Sequence, residues 1–395
     1  MLFFLRFLSP AWGPLRMFGA HTVLLCLGAL FAALFVWYGL PRRWDRLPHD
    51  HGKALVKGGA ASAGKPTGAG YYLLWFTLPI LVFFLPWTLP GIDTAKDLVE
   101  FGDTLREAAR LGLWHHFASP QWGVVLCLFG AMYAGFLDDR SDKPWGRLKK
   151  GILDFAVAFA AALFLCRFQP MEIWLPLYKE PIVMAWGWYS LMATCILWFT
   201  INATNCSDGV DGLAGTLTTI SLLGLAFFLY GVIGHQAIAS YLLVPHNPEG
   251  ARWAILCMVF AGATSGYLWH NANPSAVLMG DAGSRALGLL VGVAALATGN
   301  PFFILVIAPV LLVNGGTGLV KIVFLKVLAR TGFDTGAKEG SHPCLLAKLL
   351  RSVRFPLHDH CKTALKWSNA QVLMRFTLLH AGLMPLLFVL LVKIR

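Results

Sequence analysis

Long apolar runs separated by short polar segments constrain this chain more than any other feature. Ten runs can be drawn, at residues 20–40, 71–90, 121–137, 152–168, 182–201, 213–233, 251–269, 284–299, 301–328 and 371–394. A helix needs about 20 apolar residues to cross a bilayer. Only 13% of the 395 residues are charged, whereas soluble domains contain about 25%. The sequence therefore predicts an all-α integral membrane protein with about ten transmembrane helices.

Two segments depart from a simple series of spans. The ninth run is longer than one crossing requires and contains "GGTG" at 315–318, which favours a kinked or broken helix. Residues 1–19 are apolar but are interrupted by Pro10, Gly13 and Pro14, so we expect an interfacial segment rather than a cleavable signal peptide. The whole chain, 1–395, is interpreted as a single polytopic membrane domain.

The distribution of Lys and Arg orients the predicted spans. Loops that follow odd-numbered spans contain 18 of the 32 Lys and Arg residues, and the other loops and tails contain 7. Because positive residues favour the cytoplasmic side, the odd-numbered loops are predicted to be cytoplasmic. The net charge of +12 also suits anionic substrates at an anionic membrane face. Nucleic-acid binding is not predicted, because the basic residues are divided among loops between spans.

Five polar segments interrupt the apolar runs: "GKPTGAG" (64–70), "LDDRSDK" (137–143), "NATNCSDGVDG" (202–212), "HNANPSAVLMGDAGS" (270–284) and "FPLHDH" (355–360). All five fall on the side that the Lys and Arg count makes cytoplasmic, the last of them within a predicted cytoplasmic loop, 329–370. This agreement between independent features predicts one composite site at the inner leaflet.

The carboxylate pair Asp138 and Asp139 ends the third run. A solvated loop start is one interpretation of this pair. However, Lys143, Lys149 and Lys150 follow closely, and carboxylates beside cations are also what a metal or phosphate site requires.

Four polar residues recur at intervals of three after the fifth run: Asn202, Asn205, Asp208 and Asp211. If the helix continued through them, all four would lie on neighbouring positions of one helical face. Ser207 or Asp208 is also a reasonable N-cap for the next helix, but one cap requires only one residue.

Two further segments carry residues suited to phosphates or cations. "GDAGS" resembles a loop that leads into a helix N-terminus, where Asp281 would face a ligand or ion. His358 and His360 flank Asp359. Zinc binding by this pair is disfavoured because no third strong ligand is spaced nearby, and contact with a phosphate is the better interpretation.

Carboxylates beside a basic cytoplasmic surface favour Mg²⁺-dependent phosphoryl chemistry, because Mg²⁺ binds one or two carboxylates together with phosphate oxygens. The sequence contains no G-x-x-x-x-G-K-[ST] phosphate loop, which argues against an ATP-driven motor. It also contains no soluble catalytic domain. We therefore expect at least one substrate to be a lipid that arrives from the bilayer.

The polar segments resemble the signature segments of the polyprenyl-phosphate N-acetylhexosamine-1-phosphate transferase superfamily. Within it, "GKPTGAG" and "FPLHDHCKTALKWSNAQVLMRF" resemble segments of the phospho-N-acetylmuramoyl-pentapeptide transferase (MraY) family, in the same order and between the same spans. The resemblance implies a multi-pass protein of the bacterial inner membrane with a cytoplasmic active site. It also implies Mg²⁺-dependent transfer of phospho-MurNAc-pentapeptide from UDP-MurNAc-pentapeptide to undecaprenyl phosphate. The products, UMP and lipid I, belong to peptidoglycan synthesis, and hence to cell shape and division.

The resemblance, together with local charge, implies roles for individual residues. The expected catalytic residues are Asp138, Asp139, Asp208 and His358. The expected Mg²⁺ ligands are Asp281, Asp138 and Asp139. The expected substrate-binding residues are Lys65, Lys143, Lys150, Asn205, Asp211, Asn271 and His360. The chain departs from the family pattern at Asp359, which replaces a histidine, and at Leu278, which replaces a base-stacking Phe.

Two other functions compete with this interpretation. A sister enzyme would transfer GlcNAc-1-phosphate from UDP-GlcNAc to a polyprenyl phosphate, although the "PLHDH" segment argues against it. An ion-coupled transporter would instead place its carboxylates near the bilayer midplane within an internal repeat. Here the carboxylates lie at one predicted membrane edge. A homodimer is compatible with the sequence.

Overall fold

The structure is a computed structural model that describes residues 2–10, 12–50, 63–86, 116–141, 143, 145–176, 178, 180–331, 333–334 and 344–393. The described chain is mostly helical. Its helices are α1 (His21–Gly39), α2 (Gly70–Phe84), α3 (Pro120–Asp139), α4 (Arg147–Cys166), α5 (Trp186–Ser207), α6 (Leu213–Phe227), α7 (Gln236–Tyr241), α8 (Gly250–Asn271), α9 (Gly280–Leu296), α10 (Phe303–Ile307), α11 (Pro309–Leu311), α12 (Thr317–Arg330), α13 (Leu345–Ser352), α14 (Leu357–Thr363) and α15 (Asn369–Lys393).

Shorter elements connect or extend these helices. Segments of 3₁₀ helix span Leu2–Leu8, Gly13–Gly19 and Trp44–Arg46. Turns of π-helix extend α6 over Phe228–Val232 and join α11 to α12 over Leu312–Gly316. Strands β1 (Met171–Ile173) and β2 (Ile182–Met184) form an antiparallel hairpin with Met171 opposite Met184.

The prediction of a helical membrane protein is confirmed. Six helical stretches among the described residues are long and apolar enough to cross a membrane: His21–Gly39, Pro120–Asp139, Leu213–Val232, Gly250–Asn271, Pro309–Arg330 and Asn369–Val389. The prediction was wrong about the start of the fifth run, because residues 182–184 belong to β2 and the helix begins at Trp186. This hairpin was not predicted from the sequence.

Helix α9 lies at the centre of the fold. Every residue from Ala282 to Leu296 is buried, and residues 286–296 are all apolar or glycine, as expected for a helix segment in a core. It packs against α3 and α5, while α8 packs against α1 and α6. By contrast, α12 buries none of its residues. The chain before α12 is interrupted at Ala308, whose φ of −130° and ψ of 41° are not helical.

Glycines allow the backbone of α9 to approach its neighbours at the end that begins with Gly280. A Cβ atom on Gly135 of α3 would overlap the backbone carbonyl of Asp281. A Cβ atom on Gly70 of α2 would similarly overlap the backbone of Gly283. The first turn of α9 is therefore held between α2 and α3 by direct backbone contact.

We predict that Gly135→Ala displaces the start of α9 and destabilises the protein. Overpacking of this kind costs about 1–3 kcal/mol. Gly130→Ala is the matched control on the same helix, because a Cβ atom there meets Val157 Cγ2 at an ordinary 3.7 Å. The thermal unfolding midpoint of the purified protein in detergent should fall for Gly135→Ala only. Equal midpoints for the two variants would contradict the proposed close contact.

Candidate active site

Two of the polar segments are joined by backbone hydrogen bonds. The N–H of Leu278 donates to the carbonyl of Pro66 at 2.8 Å, and the N–H of Ala69 donates to the carbonyl of Leu278 at 3.1 Å. Lys65 Nζ also donates to Ser275 Oγ at 3.0 Å. Segment 64–70 is thereby fixed against the loop that leads into α9.

Lys150 links carboxylates from two helices. Its ammonium forms an ion pair with Asp138 Oδ2 and lies 3.0 Å from Asp281 Oδ2. The other oxygen of Asp138 accepts the N–H of Trp145 at 2.8 Å. Burial alone would lower the pKa of Lys150, but attraction to Asp281 and Asp138 outweighs burial and raises the pKa. The two carboxylates therefore surround a stable cation.

Asp139 faces the backbone of α9. Its two carboxylate oxygens accept the N–H groups of Asp281 and Ala282, each at 3.1 Å. The first N–H groups of a helix have no partner within the helix and attract negative charge. Gly280, with a φ of +71°, turns the chain into this position. Asp139 thus orients the helix that carries Asp281, whereas its predicted catalytic and metal-binding roles stay predictions.

Arg285 and Asp154 belong to the same cluster, and the sequence analysis did not identify them. Arg285 donates to Asp154 Oδ1 and to Asp281 Oδ2, both at 3.0 Å. Arg285 is fully buried and Asp154 is only 3% exposed. Their position inside two predicted apolar runs was the available signal, because charged residues in such runs are rare and usually functional.

The polar residues after the fifth run divide between a helix and a loop. Helix α5 ends at Ser207, so the predicted stripe of four residues does not continue along one face. Asn205 remains in the helix; with its amide oriented to satisfy both groups, it donates to Asp281 Oδ1 and accepts from Arg285 Nε, each at 3.2 Å. Asp211 lies in the loop and accepts the N–H of Ser275 at 3.2 Å.

The predicted N-cap of α6 was wrong. Ser207 donates instead to the carbonyl oxygens of Ala203 and Leu311, at 2.9 and 3.3 Å. Asp208 occupies the C-terminal cap position of α5. Gly212 precedes α6 with a φ of +78°, a conformation that glycine adopts without the cost that a side chain would add.

His358 is anchored by a residue that the sequence analysis did not identify. Asn314 Oδ1 accepts the backbone N–H of His358 at 2.9 Å and lies 3.1 Å from His358 Nδ1. Because an amide oxygen only accepts, Nδ1 must carry the proton. His358 Nε2 then points towards Gly209, where a Cβ atom would overlap it. Asn314 lies in the π-helical turn before α12.

The remaining predicted residues occupy different environments. Asn271 accepts the N–H of Gly212 at 2.7 Å and donates to the carbonyl of Val277 at 2.8 Å, which indicates that it fixes two loops. His360 Nδ1 accepts the N–H of Arg354 at 3.3 Å. Lys143 is exposed. Of the residues predicted to bind substrate, Lys150 lies in the carboxylate cluster. Contacts of Asn271, His360 and Lys143 with substrate stay predictions.

The chain is similar to known proteins of one family. The family model described as Glycosyl transferase family 4 matches residues 121–299, the part of the chain that contains the carboxylates of the cluster. The phospho-N-acetylmuramoyl-pentapeptide-transferase of Desulforapulum autotrophicum is 32% identical over 263 residues, covering 64% of this chain and 66% of that protein. The protein of the same name from Treponema pallidum (strain Nichols) is 38% identical over 396 residues, covering 98% of this chain and 96% of that protein.

The range matched by the Treponema pallidum protein covers 98% of this chain and so extends well beyond residues 121–299 of the family model. Identity of 38% over nearly the full length of both chains establishes the family. The chain belongs to the phospho-N-acetylmuramoyl-pentapeptide-transferase family.

Proposed function

We propose that this protein transfers phospho-MurNAc-pentapeptide from UDP-MurNAc-pentapeptide to undecaprenyl phosphate and releases UMP. The product, lipid I, serves peptidoglycan synthesis. The observation that carries the proposal is the Lys150 ammonium, held by carboxylates from α3 and α9 within a chain that matches a transferase of this name along nearly its whole length. The sister reaction with UDP-GlcNAc is disfavoured by the names of the relatives.

The proposed topology has ten spans and a site that faces the cytoplasm of a bacterial inner membrane. Beyond the six long apolar stretches, α2, α4, α5 and α9 fall on the remaining predicted runs. The ninth span would be the broken series α10, α11 and α12. The orientation is supported by the excess of Lys and Arg in odd-numbered loops.

Asp138 and Asp281 would hold a Mg²⁺ ion. Their carboxylates already lie on either side of one cation, the Lys150 ammonium, so this pair fits a cation site. No group of three or more His, Cys, Asp or Glu side chains suited to a metal occurs among the described residues. Water and phosphate oxygens would therefore complete the shell, as Mg²⁺ prefers. When bound, Mg²⁺ offsets negative charge on the diphosphate.

The protein side chains would position the two phosphates for direct attack. An oxygen of undecaprenyl phosphate forms a bond to the β-phosphorus of the UDP-sugar, and the bond from that phosphorus to the bridging oxygen breaks, so that UMP leaves. Lys150 and His358 would hold the phosphate oxygens. Asp138, at the end of α3, would accept a proton from the lipid phosphate when that group is still a monoanion.

The central experiment supplies purified protein with UDP-MurNAc-pentapeptide, polyprenyl phosphate and Mg²⁺ and measures UMP. UMP should form with all three components and should fall to background when the lipid is omitted. UDP-GlcNAc in place of the muramoyl substrate should give no UMP. Asp281→Ala is the inactive reference, and added Mg²⁺ should not restore its turnover. Lipid-dependent UMP from UDP-GlcNAc alone would favour the sister enzyme.

We predict that Lys150→Ala lowers kcat/KM by about a hundredfold or more, because a charge-assisted contact and the cation between two carboxylates are lost together. Arg147→Ala is the matched control, since Arg147 is an exposed cation at the start of the same helix. It should change kcat/KM by less than about threefold, as is usual for an exposed charge. Similar losses of kcat/KM in both variants would show that Lys150 does not act through the carboxylate cluster.

We predict that Asn314→Ala lowers kcat/KM by about tenfold or more, because loss of a buried hydrogen bond releases His358 from its orientation. In a double-mutant cycle, Asn314→Ala should add little to His358→Ala, since both would act through one imidazole. Val313→Ala, in the same π-helical turn but with an exposed side chain, should have little effect. Additive losses would show that Asn314 acts independently of His358.

We predict sequential kinetics for the two substrates, because direct attack requires both to be bound. The second pKa of a phosphate monoester lies near 6, so the lipid is mostly a dianion at neutral pH and needs a base mainly in mild acid. Asp138→Asn should therefore be slowed most below about pH 6. In a covalent route, Asp208 would attack first, giving ping-pong kinetics. Lipid-independent exchange of UMP into UDP-sugar, abolished by Asp208→Asn, would overturn direct attack.

A further inference from the structure

Four charges of alternating sign run from the surface into the fold. Lys150 and Asp154 lie four residues apart on α4, and Asp281 and Arg285 lie four residues apart on α9. Residues at this spacing share one helical face. The ion pairs link Lys150 to Asp281, Asp281 to Arg285, and Arg285 to Asp154, each at 3.0 Å. We call these four residues the charge ladder.

The two ends of the charge ladder differ in exposure. The side chain of Lys150 is 26% exposed, while those of Arg285 and Asp154 are 1% and 4% exposed. Asp154 Oδ2 is buried with no hydrogen-bond partner. Burying a carboxylate is costly unless it is paired, so the charge of Asp154 depends on Arg285. One guanidinium is therefore shared between Asp154 and Asp281.

Arg285 also holds Asp281 in one orientation. Its Nη2 atom contacts Asp281 Oδ2 at 3.0 Å, and its Nε atom bonds to Asn205, which in turn bonds to Asp281 Oδ1. Both oxygens of the Asp281 carboxylate are thus fixed from the buried side. The same guanidinium places a full positive charge beside any cation that binds Asp281.

We propose that Arg285 is a positioning residue that orients Asp281 and weakens its affinity for a divalent cation, and that Asp154 limits this weakening by drawing on the same guanidinium. The proposal rests on the Mg²⁺ site described under the proposed function. Removing the charge of Asp154 should weaken cation binding, and removing the charge of Arg285 should tighten it. Without Asp154, the positive charge of Arg285 acts on Asp281 alone. Without Arg285, the repulsion between the guanidinium and a cation bound at Asp281 is absent.

The test is binding of Mn²⁺, a spectroscopic substitute for Mg²⁺, measured by electron paramagnetic resonance on full-length protein in nanodiscs. Asp154→Asn should weaken Mn²⁺ binding by about three- to tenfold, and Arg285→Gln should tighten it by a similar factor, as expected for one partly screened charge at short range. The double variant Asp154→Asn with Arg285→Gln should return near the wild-type Kd. Arg285→Lys keeps the charge but loses the planar fork, so it should preserve Kd and lower kcat.

The outcomes separate this inference from the proposed metal site. If Asp281→Asn leaves Mn²⁺ binding unchanged, the metal site itself is wrong. If Asp281→Asn abolishes binding, but Asp154→Asn and Arg285→Gln both leave Kd unchanged or shift it in the same direction, the charge ladder has only a structural role and the inference is overturned. Should Arg285→Gln fail to fold, Asp154→Asn and Arg285→Lys decide the question: an unchanged Kd in Asp154→Asn refutes the proposal.

Discussion

The contact between Asp139 and the first turn of α9 positions Asp281, on which the carboxylate cluster of the candidate site depends. A carboxylate from α3 accepts two backbone N–H groups of α9, and Gly70 and Gly135 allow neighbouring helices to touch the same turn. A helix that is buried along its length cannot satisfy its first N–H groups with water. Asp139 accepts the N–H groups of Asp281 and Ala282, and these hydrogen bonds also fix the position of Asp281. The packing of the core and the geometry of the site are therefore one feature.

The same helix explains why the cluster tolerates so many charges at a predicted membrane edge. Asp138, Asp154 and Asp281 would repel one another if they were placed together alone. Lys150 and Arg285 lie between them, so that each carboxylate has a cation at hydrogen-bond distance. Alternation of sign, rather than the number of charges, makes the arrangement stable in a poorly solvated position.

Much of this site could be predicted from sequence because each polar motif is a continuous segment. A polar motif at the end of an apolar run stands out against the apolar residues beside it. The helical class, the start of α9 at "GDAGS" and the grouping of Asp138 with Asp281 follow from such patterns. Partners from distant runs could not be found in this way. Asp154 and Arg285 pair across two helices, and Asn314 contacts His358, which lies 44 residues later in the chain. Helix α5 continues beyond the predicted run to Ser207, where Asn202 and Ser207 bond back to carbonyls four residues earlier. Apolar periodicity does not reveal this detail.

Exposure along the charge ladder indicates which member can exchange partners during turnover. Arg285 and Asp154 are enclosed, and movement of either would leave a buried charge without a counter-ion. Lys150 alone of the four combines a partly exposed side chain with a long flexible stem, and an ammonium can change partners with little loss because it has no fixed hydrogen-bond geometry. An arriving diphosphate would therefore draw Lys150 away from Asp138 and Asp281, while Arg285 keeps Asp281 in place. Arg285 is held in place because it is buried, and Lys150 can move because its side chain is partly exposed.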